Sequence, residues 1–594
     1  MSFASRNQSV RVWAVAFAVM VLGSGQALAQ GRIHRIPEEV PPHYVLTAAG
    51  SWGSTQDQAV IDALGTVLYR HAETGIGFVD SSDPDFLARA MQSGAFSGGS
   101  ADIATRWENA TPFAAGEDEG VGAESVNPLD EPYFKAEWDL GAIDAPGAWA
   151  LGLDGEGVRV AVLDGGICAD HADLAGNLDL GACRSFVAGK GFDQDKAGFR
   201  HACHVAGIVA AADNAIGTVG VAPKATVFVC KVLDGGFGTF ESILEGILYA
   251  ATPLADGGGG ADIMVISPAT IFDKGGAGSG TGELISAFNT AVNFATSHNV
   301  LVVAAAGDEG LDLDHSGNVV ALPGSAASAI AISATGPVGY AVGYPNGATN
   351  FRRPASYTNF GSSAIWIAAP GGDDVLGSGG FCSIPKIPSG NFTFACDVFD
   401  MVPGPGFVSS GKSISTWGQG TSVAAAHVAG VAALVKQRFP GISVGQLKTQ
   451  LKNSADQGLS AASDPYLGHG FLNARRAVSD PLAVTDAASK PDVTPLGARG
   501  ITPPGLRLAV APHPVRGDAS FTLTLPQRDR ARLELLDVSG RRRVVIYDGF
   551  AAAGRTTVTW DGRATNGQRL EPGAYFAKLV SGSAQTRTLV IVER

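Results

Sequence analysis

Three side chains in this sequence stand where acyl-transfer chemistry would need them. Asp164 follows an apolar run in Ala161-Val162-Leu163-Asp164-Gly165-Gly166. His201 opens His201-Ala202-Cys203-His204-Val205-Ala206-Gly207, and Ser422 follows Gly418-Gln419-Gly420-Thr421 at the head of a long apolar stretch. A carboxylate at the end of a buried strand is poorly solvated and needs a partner. A serine opening a helix has the positive end of the macrodipole and a free backbone N–H beside it. Taken singly, each has an ordinary reading as a loop residue, a surface residue or a helix cap. In the order Asp, His, Ser, at a strand end and two helix starts, they point to nucleophilic catalysis, since that is one of the known orders of acyl-transfer triads. His201 would take the proton of Ser422, and Asp164 would hold the imidazole tautomer and stabilise the imidazolium.

The segments around these residues say how they are positioned. Between about 130 and 480, near-continuous apolar runs at 158–163, 226–232, 262–266, 300–305, 329–333 and 365–369 alternate with helical windows. The windows are 203–212, 240–251, 282–297, 422–438 and 443–453. Strands buried on both faces read this way, as in a parallel sheet covered by helices. The expected fold class is therefore α/β, a doubly wound and mostly parallel sheet over 129–480. Such sheets bind ligands beyond the carboxyl ends of their strands, where Asp164 stands.

The 594 residues allow several domains. Charged residues are 16% and hydrophobic residues 45%, against roughly 25% charged in ordinary soluble domains, which excludes a disordered chain. With 42 Lys+Arg against 56 Asp+Glu the net charge is −14, so a phosphate backbone has no electrostatic footing and no nucleic-acid partner is expected. Residues 1–29 read as a signal peptide: Arg6 and Arg11 precede an apolar run at 12–22, and Ala27-Leu28-Ala29 is a small-x-small cleavage site. The run is short for a membrane span. The expected location is secreted, extracellular or at the cell surface, with the mature chain beginning near Gln30.

Six cysteines (168, 183, 203, 230, 382 and 396) in an oxidising compartment are expected to be mostly paired. Cys382–Cys396, enclosing a Gly- and Pro-containing loop, is one expected pair and Cys168–Cys183 a second. Zinc is not expected: close Cys/His groupings such as His201-x-Cys203-His204 do not make up a four-ligand pattern. Residues 43–103 read as a small α+β unit, with strands at 44–47 and 76–79 and helices at 56–64 and 83–91. An accessible connector with the acidic run Glu117-Asp118-Glu119 follows over 104–128. Pro481, Pro491, Pro495, Pro503 and Pro504 mark 481–505 as a linker. Beyond it, alternating segments at 506–511, 519–525, 531–537, 543–547, 556–560, 574–580 and 586–592 predict a β-sandwich over 506–594. Ser539-Gly540 and Asn566-Gly567 would supply turns.

These motifs resemble those of the subtilisin-family serine peptidases (subtilases). The matching stretches are 160–167, 201–211, 217–223, 231–233, 304–310, 355–361, 368–372, 420–434 and 468–478, in order along the α/β segment. The resemblance implies a serine endopeptidase that hydrolyses peptide bonds of protein substrates through an acyl-enzyme on Ser422. His201 would be general base and acid, Asp164 the orienter, and His204 a structural second histidine. There are departures. Ala202 and Cys203 replace the family's Gly and Thr, and Val423-Ala424-Ala425-Ala426 replaces Met-Ala-x-Pro.

Two departures touch the chemistry. Asp308, in Ala304-Ala305-Ala306-Gly307-Asp308-Glu309-Gly310, holds the oxyanion-hole position, where the family usually has an asparagine amide that donates to the oxyanion. An ionised Asp308 cannot donate; a protonated one can, which needs a raised pKa. Ser267-Pro268-Ala269 stands at the substrate-binding strand, where the family has Ser-x-Gly-Gly. Pro268 lacks an N–H, and Ala269 adds a methyl at the pocket wall, implying narrower or weaker substrate binding. Together they leave a second reading open: a catalytically weak or inactive homologue acting as a binding or surface protein. The complete triad argues against it.

By the same resemblance, no cofactor is needed for catalysis. A structural calcium ion would take side-chain oxygens of Asp173 and Asn214, with carbonyls around Ala212, Ile216 and Thr218. Residues 43–103, within the 30–128 segment, would be an inhibitory propeptide, a partner carried on the same chain and removed by a cut within 104–129. The last segment is similar to the immunoglobulin-like modules of flagellar hook-assembly and type IX sorting domains. It carries Val538-Ser539-Gly540-Arg541, Trp560-Asp561-Gly562-Arg563 and Pro572-Gly573-Ala574-Tyr575. Such a module implies contact with the cell surface or secretion machinery.

Overall fold

The computed structural model describes residues 38–106, 113–117, 127–195, 200–273, 280–337, 339–345, 350–374, 380–456 and 464–479, then 507–511, 515, 518–525, 529–537, 541–551, 554–565, 568–581 and 584–592. The expected signal peptide at 1–29, the linker at 481–505, Asp118-Glu119, Ser539-Gly540 and Asn566-Gly567 lie outside the described residues. The chain divides into two units at Asp486.

In chain order the first unit opens with β1 (Glu38–Ala48), α1 (Ser54–Asp62), β2 (Thr66–His71), β3 (Ile76–Asp80), α2 (Phe86–Gln92), β4 (Phe96–Arg106) and β5 (Phe113–Glu117). It continues with α3 (Trp138–Ala142), α4 (Ala145–Trp149), β6 (Arg159–Asp164), β7 (Arg184–Ser185), α5 (His201–Ala210), β8 (Thr226–Lys231), β9 (Phe237–Thr239) and α6 (Phe240–Ala251). Then come β10 (Ile263–Ile266), β11 (Thr270–Asp273), α7 (Thr281–Ser297), β12 (Leu301–Ala305), β13 (Val319–Leu322), β14 (Ile330–Gly336), β15 (Arg353–Pro354) and β16 (Ile367–Pro370). The hairpin β17 (Phe381–Pro385) and β18 (Asn391–Ala395), then β19 (Val402–Ser409), β20 (Lys412–Gly418), α8 (Thr421–Arg438) and α9 (Val444–Ser454) complete it.

The six predicted apolar runs are six strands of an eight-stranded sheet, ordered β15-β14-β12-β10-β6-β8-β7 with β16 beside β14; the short β7 and β15 were not among them. Every pairing in it is parallel except that of the short β15. Residues 160–164 of β6 and all of β10 and β12 are buried, which is why the sequence shows continuous rather than alternating hydrophobicity. Helices α5 and α8 pack together on one face, and α6 and α7 on the other.

Strand order reverses around β6: its chain leaves through α5 to β8 on one side, whereas β10 on its other side leads through α7 to β12. The crevice at the ends of β6 and β10 is a topological switch point, where this class of fold places ligands. Asp164 ends β6 there, and Ser267 follows β10 directly.

The α+β layer at the start pairs as β2-β3-β1-β4, and β9 extends it by pairing antiparallel with β4 at Ala104–Thr239, Thr105–Gly238 and Arg106–Phe237. One face of this layer buries Leu46, Val60 and Phe86 beneath α1 and α2. The other contributes Val45, Ile76, Phe78 and Ile103 to the main core, against α6 and α7. β5, within the expected loose connector, instead joins β20 as the outer strand of a sheet ordered β19-β20-β5. In the second unit, β21 (Arg507–Ala511), β22 (Ala519–Leu525) and β25 (Gly554–Trp560) form one antiparallel sheet. The strands β23 (Asp529–Asp537), β24 (Arg542–Ala551), β26 (Gly573–Ser581) and β27 (Ala584–Val592) form another. Phe521, Leu533, Leu535, Trp560 and Leu579 share one apolar cluster between them.

Two expectations about cysteines meet different outcomes. Cys382 and Cys396 are bonded, as expected, across the β17–β18 hairpin. Cys168 is bonded to Cys203, not to Cys183. The loop leaving β6 folds back over the first turn of α5, whereas Cys183 faces β8, with the Val229 N–H 3.3 Å from its sulfur. Cys183 and Cys230 are buried free thiols.

Candidate active site

Asp164, His201 and Ser422 come from three separate elements and converge. Ser422 enters the crevice at the start of α8, whose first residue is Thr421 and whose N-cap is Gly420, at φ +154°. A Cβ on Gly420 would lie 3.0 Å from Ser422 Oγ, so a bare backbone is needed beside the nucleophile. His201 is the first residue of α5, a helix buried along its whole length. Small residues there let β19 press close; a Cβ on Gly207 would fall 2.1 Å from Pro405.

The Ser422 hydroxyl donates to His201 Nε2 at 2.9 Å, and His201 Nδ1 donates to Asp164 Oδ2 at 2.8 Å. Their exposures are 0% for Asp164, 4% for His201 and 6% for Ser422, so water does not compete for these bonds. Asp164 also accepts from the Gly165 N–H at 2.6 Å and from the Ser267 hydroxyl. Burial alone would raise its carboxyl. The His201 charge and the bonds from His201, Ser267 and Gly165 outweigh burial and hold it below the usual carboxylate range.

His204, one turn on from His201, is fully buried; burial first, then the charges of His201 and His427, push its imidazole down to about 3. It stays neutral. His427, on α8, is buried against Asp139 of α3, with Nε2 and Oδ2 2.9 Å apart.

Asp308 lies just beyond β12, beside Ser422. Its Oδ1 accepts from the Thr421 N–H at 2.8 Å and from the Thr421 hydroxyl at 2.7 Å. Burial raises its carboxyl, although the Thr421 bonds and the His201 charge oppose the shift. Glu309 accepts from Asn359 Nδ2 at 2.7 Å and is pushed up to about 7 by burial and by Asp308.

Of the three residues expected to line the substrate strand, Ser267 directs its hydroxyl at Asp164, Pro268 is buried and Ala269 is half-buried. Asp173 and the 212–218 loop are brought together: the Asp173 carboxylate accepts from the Thr218 N–H and hydroxyl at 2.9 and 3.0 Å. Asn214 donates from Nδ2 to the Ala172 carbonyl at 3.3 Å. Glu131 also reaches this loop, accepting from the N–H groups of Asn214 and Ala215 at 2.6 Å each. Among the described residues, no three or more His, Cys, Asp or Glu side chains are arranged to hold a metal ion. Sequence reasoning missed the Thr421 clamp, the Ser267 bond and Glu131. Thr421 adjoins the nucleophile and Ser267 the end of a predicted strand, so position alone was the available signal.

A serine, an imidazole and a carboxylate in hydrogen-bonded series, at the strand ends of a doubly wound sheet, define a serine hydrolase. The sequence profile of Peptidase S8, the Subtilase family, matches residues 155–470, and the chain belongs to that family. It is 35% identical over 341 residues to Subtilisin BL of Lederbergia lenta, covering 57% of this chain and 97% of that protein. It is 36% identical over 341 residues to Alkaline elastase YaB of Bacillus sp. (strain YaB), covering 57% of this chain and 69% of that one. The solved epidermin leader peptide processing serine protease of Staphylococcus aureus is similar in fold, with a TM-score of 0.54 over 74% of this chain and 98% of that chain at 18% identity. The chain is a serine endopeptidase.

Proposed function

We propose that Ser422 is the nucleophile, His201 the general base and acid, and Asp164 the orienter of the imidazole. The observation that carries this reading is the continuous path from Ser422 Oγ through His201 to Asp164 at 2.9 and 2.8 Å. Ser422 Oγ attacks the peptide carbonyl carbon while its proton passes to His201 Nε2; the tetrahedral adduct then expels the amine, which takes that proton. Water, deprotonated by the same nitrogen, hydrolyses the ester and restores Ser422. The Ser422 N–H and the Asp308 position face the oxyanion, and the backbone after Ser267 faces the substrate. A fluorophosphonate should label the wild type and leave Ser422→Ala unlabelled; labelling at another residue, or none, rejects the assignment. The weak-homologue reading rests on Asp308 and Pro268, and it predicts no labelling of the wild type with labelling restored in Asp308→Asn.

Residues 43–103 act as a propeptide in this reading. The pairing of β4 with β9 and the burial of the layer against α6 and α7 support it. Asp102 of β4 also accepts from the Glu241 N–H at 3.2 Å, capping the start of α6, and His43 Nδ1 lies 2.9 Å from Glu241 Oε2. Catalysis here draws on the chain's own side chains.

A structural calcium ion would be held by Asp173, Asn214 and neighbouring carbonyls. One buried carboxyl oxygen each of Glu137 and Asp139 accepts no hydrogen bond among the described residues, and Glu137 feels the charges of Asp139, Asp173 and Glu131, a field that a cation would neutralise. Chelation should lower the melting temperature; no change rejects the ion. The strand pattern beyond Arg507 supports an immunoglobulin-like sandwich that docks at a cell surface or secretion machinery, and the subtilisin relatives support an extracellular location.

A further inference from the structure

The acid beside Ser422 has two oxygens in different situations, and the difference fixes where a proton on it must sit. Thr421 Oγ1 accepts the Gly307 N–H at 3.0 Å, so its own hydrogen is free to go to Asp308 Oδ1, 2.7 Å away. The Thr421 N–H, which can only donate, meets the same oxygen at 2.8 Å. Both acceptor directions of Oδ1 are therefore taken, and a carboxyl proton on Asp308 belongs on Oδ2. That oxygen lies on the side of the nucleophile: a Cβ on Gly420 would be 3.3 Å from Asp308 Oδ2 and 3.0 Å from Ser422 Oγ.

Resting on the assignment of Ser422 as nucleophile, we infer that the neutral, protonated carboxyl of Asp308 donates from Oδ2 to the oxyanion, so that this peptidase is limited to the acid side of its pH range. The clamp makes the carboxylic acid a geometric stand-in for an amide: one oxygen accepts from Thr421, and the other position donates to the substrate. Deprotonation removes the donor and sets a negative charge where negative charge develops.

The ionisable groups facing Asp308 come from several elements. Glu309 is its neighbour in the chain, His201 faces it from α5, and Tyr357 feels its charge along with those of Asp373 and Asp374. Burial favours the neutral carboxyl, whereas the Thr421 bonds and protonated His201 favour the ion. Turnover needs His201 neutral and Asp308 protonated together, so a rising limb from the imidazole and a falling limb from the carboxyl bound the active range.

The test is the pH dependence of kcat/KM on an uncharged peptide for the purified wild type and Asp308→Asn, with fluorophosphonate titration counting active sites at each pH. The wild type should lose activity tenfold per pH unit on the alkaline side, recoverably on return to pH 5. Asp308→Asn should lack that limb and exceed the wild type about 10²-fold at pH 9, the range known for a single oxyanion donor. A wild type that holds its activity to pH 9, or loses it without recovery, overturns the inference. So does an Asp308→Asn protein that is titratable yet falls along the same limb. Absence of labelling in both proteins at every pH overturns the Ser422 assignment and, with it, this inference.

Discussion

Cys203, lying between His201 and His204, is bonded to Cys168, four residues beyond Asp164. One covalent bond thus joins the loop leaving the strand that carries the carboxylate to the helix that carries the imidazole. Its partners are 35 residues apart, and closing a loop of that size removes roughly 3–4 kcal/mol of unfolded-chain entropy. The double variant Cys168→Ser/Cys203→Ser should therefore melt about 4–5 °C lower in scanning calorimetry. Reductant should move the wild type toward the same value, and unchanged melting in both would contradict a stabilising role.

Ser267 gives Asp164 a donor from the neighbouring strand, independent of the imidazole. A hydrogen bond to a charged group contributes about 1.5–3 kcal/mol, and about 1.4 kcal/mol is a factor of ten in rate. In Ser267→Ala the carboxylate keeps the Gly165 N–H and His201 but turns more freely about the strand end. We expect kcat to fall at least about tenfold with KM little changed, since the substrate contacts remain. A rise in KM at constant kcat would instead mean that Ser267 acts on substrate binding.

In the α/β segment the elements legible in the sequence are those buried on both faces, and in the second unit those whose hydrophobicity alternates. Each of the six central apolar runs is a strand of the main sheet, and the predicted helical windows coincide with α5 to α9 within a few residues. Triad convergence was legible for the same reason, because strand ends and helix starts fix where side chains can meet. Elements without such a signature were missed. β2 alternates exposed and half-buried positions and is held at the sheet edge by the adjacent β3, and β4 runs through Ser97-Gly98-Gly99-Ser100-Ala101 with little apolar content and is held by β1 and β9, farther along the chain. β19 contains Pro403-Gly404-Pro405-Gly406 and is a strand only because β20 pairs along it. The Cys168–Cys183 expectation failed because nearness in sequence does not say which way the loop leaving β6 folds, whereas Cys382 and Cys396 face each other across one hairpin. The role of Asp308 needed Thr421 in three dimensions.

Asp102 is 1% exposed, and burial, helped by the charge of Glu241, raises its carboxyl to about 6. In free, solvated chain an aspartate sits near about 3.9, so the docked layer holds an extra proton between that value and about 6. Docking is therefore strongest below about pH 4 and weakens as pH rises through about 6, by up to roughly 3 kcal/mol. In the processed protein, the 43–103 segment should co-elute with the catalytic part at pH 5 and separate more readily at pH 8. Asp102→Asn should flatten this dependence, while a wild-type elution profile independent of pH would remove Asp102 from control of release.

The expected cut region, 104–129, includes the end of β4 and the whole of β5, both paired to strands of the α/β part. β4 ends on β9, and β5 begins with Phe113 opposite Trp417 on β20, the strand that leads through Gly420 into Ser422. A segment carried on the same chain as the triad, and paired to it as a strand, meets its own serine at a high effective concentration. Cleavage within 104–129 should then be first order and independent of protein concentration. Ser422→Ala should retain the 43–103 segment covalently, whereas the wild type loses it, and intact-mass measurement distinguishes the two. Added active enzyme should cut Ser422→Ala at a rate that rises with the amount added, unlike the first-order cut of the wild type. Normal processing of Ser422→Ala expressed alone would assign maturation to a different peptidase.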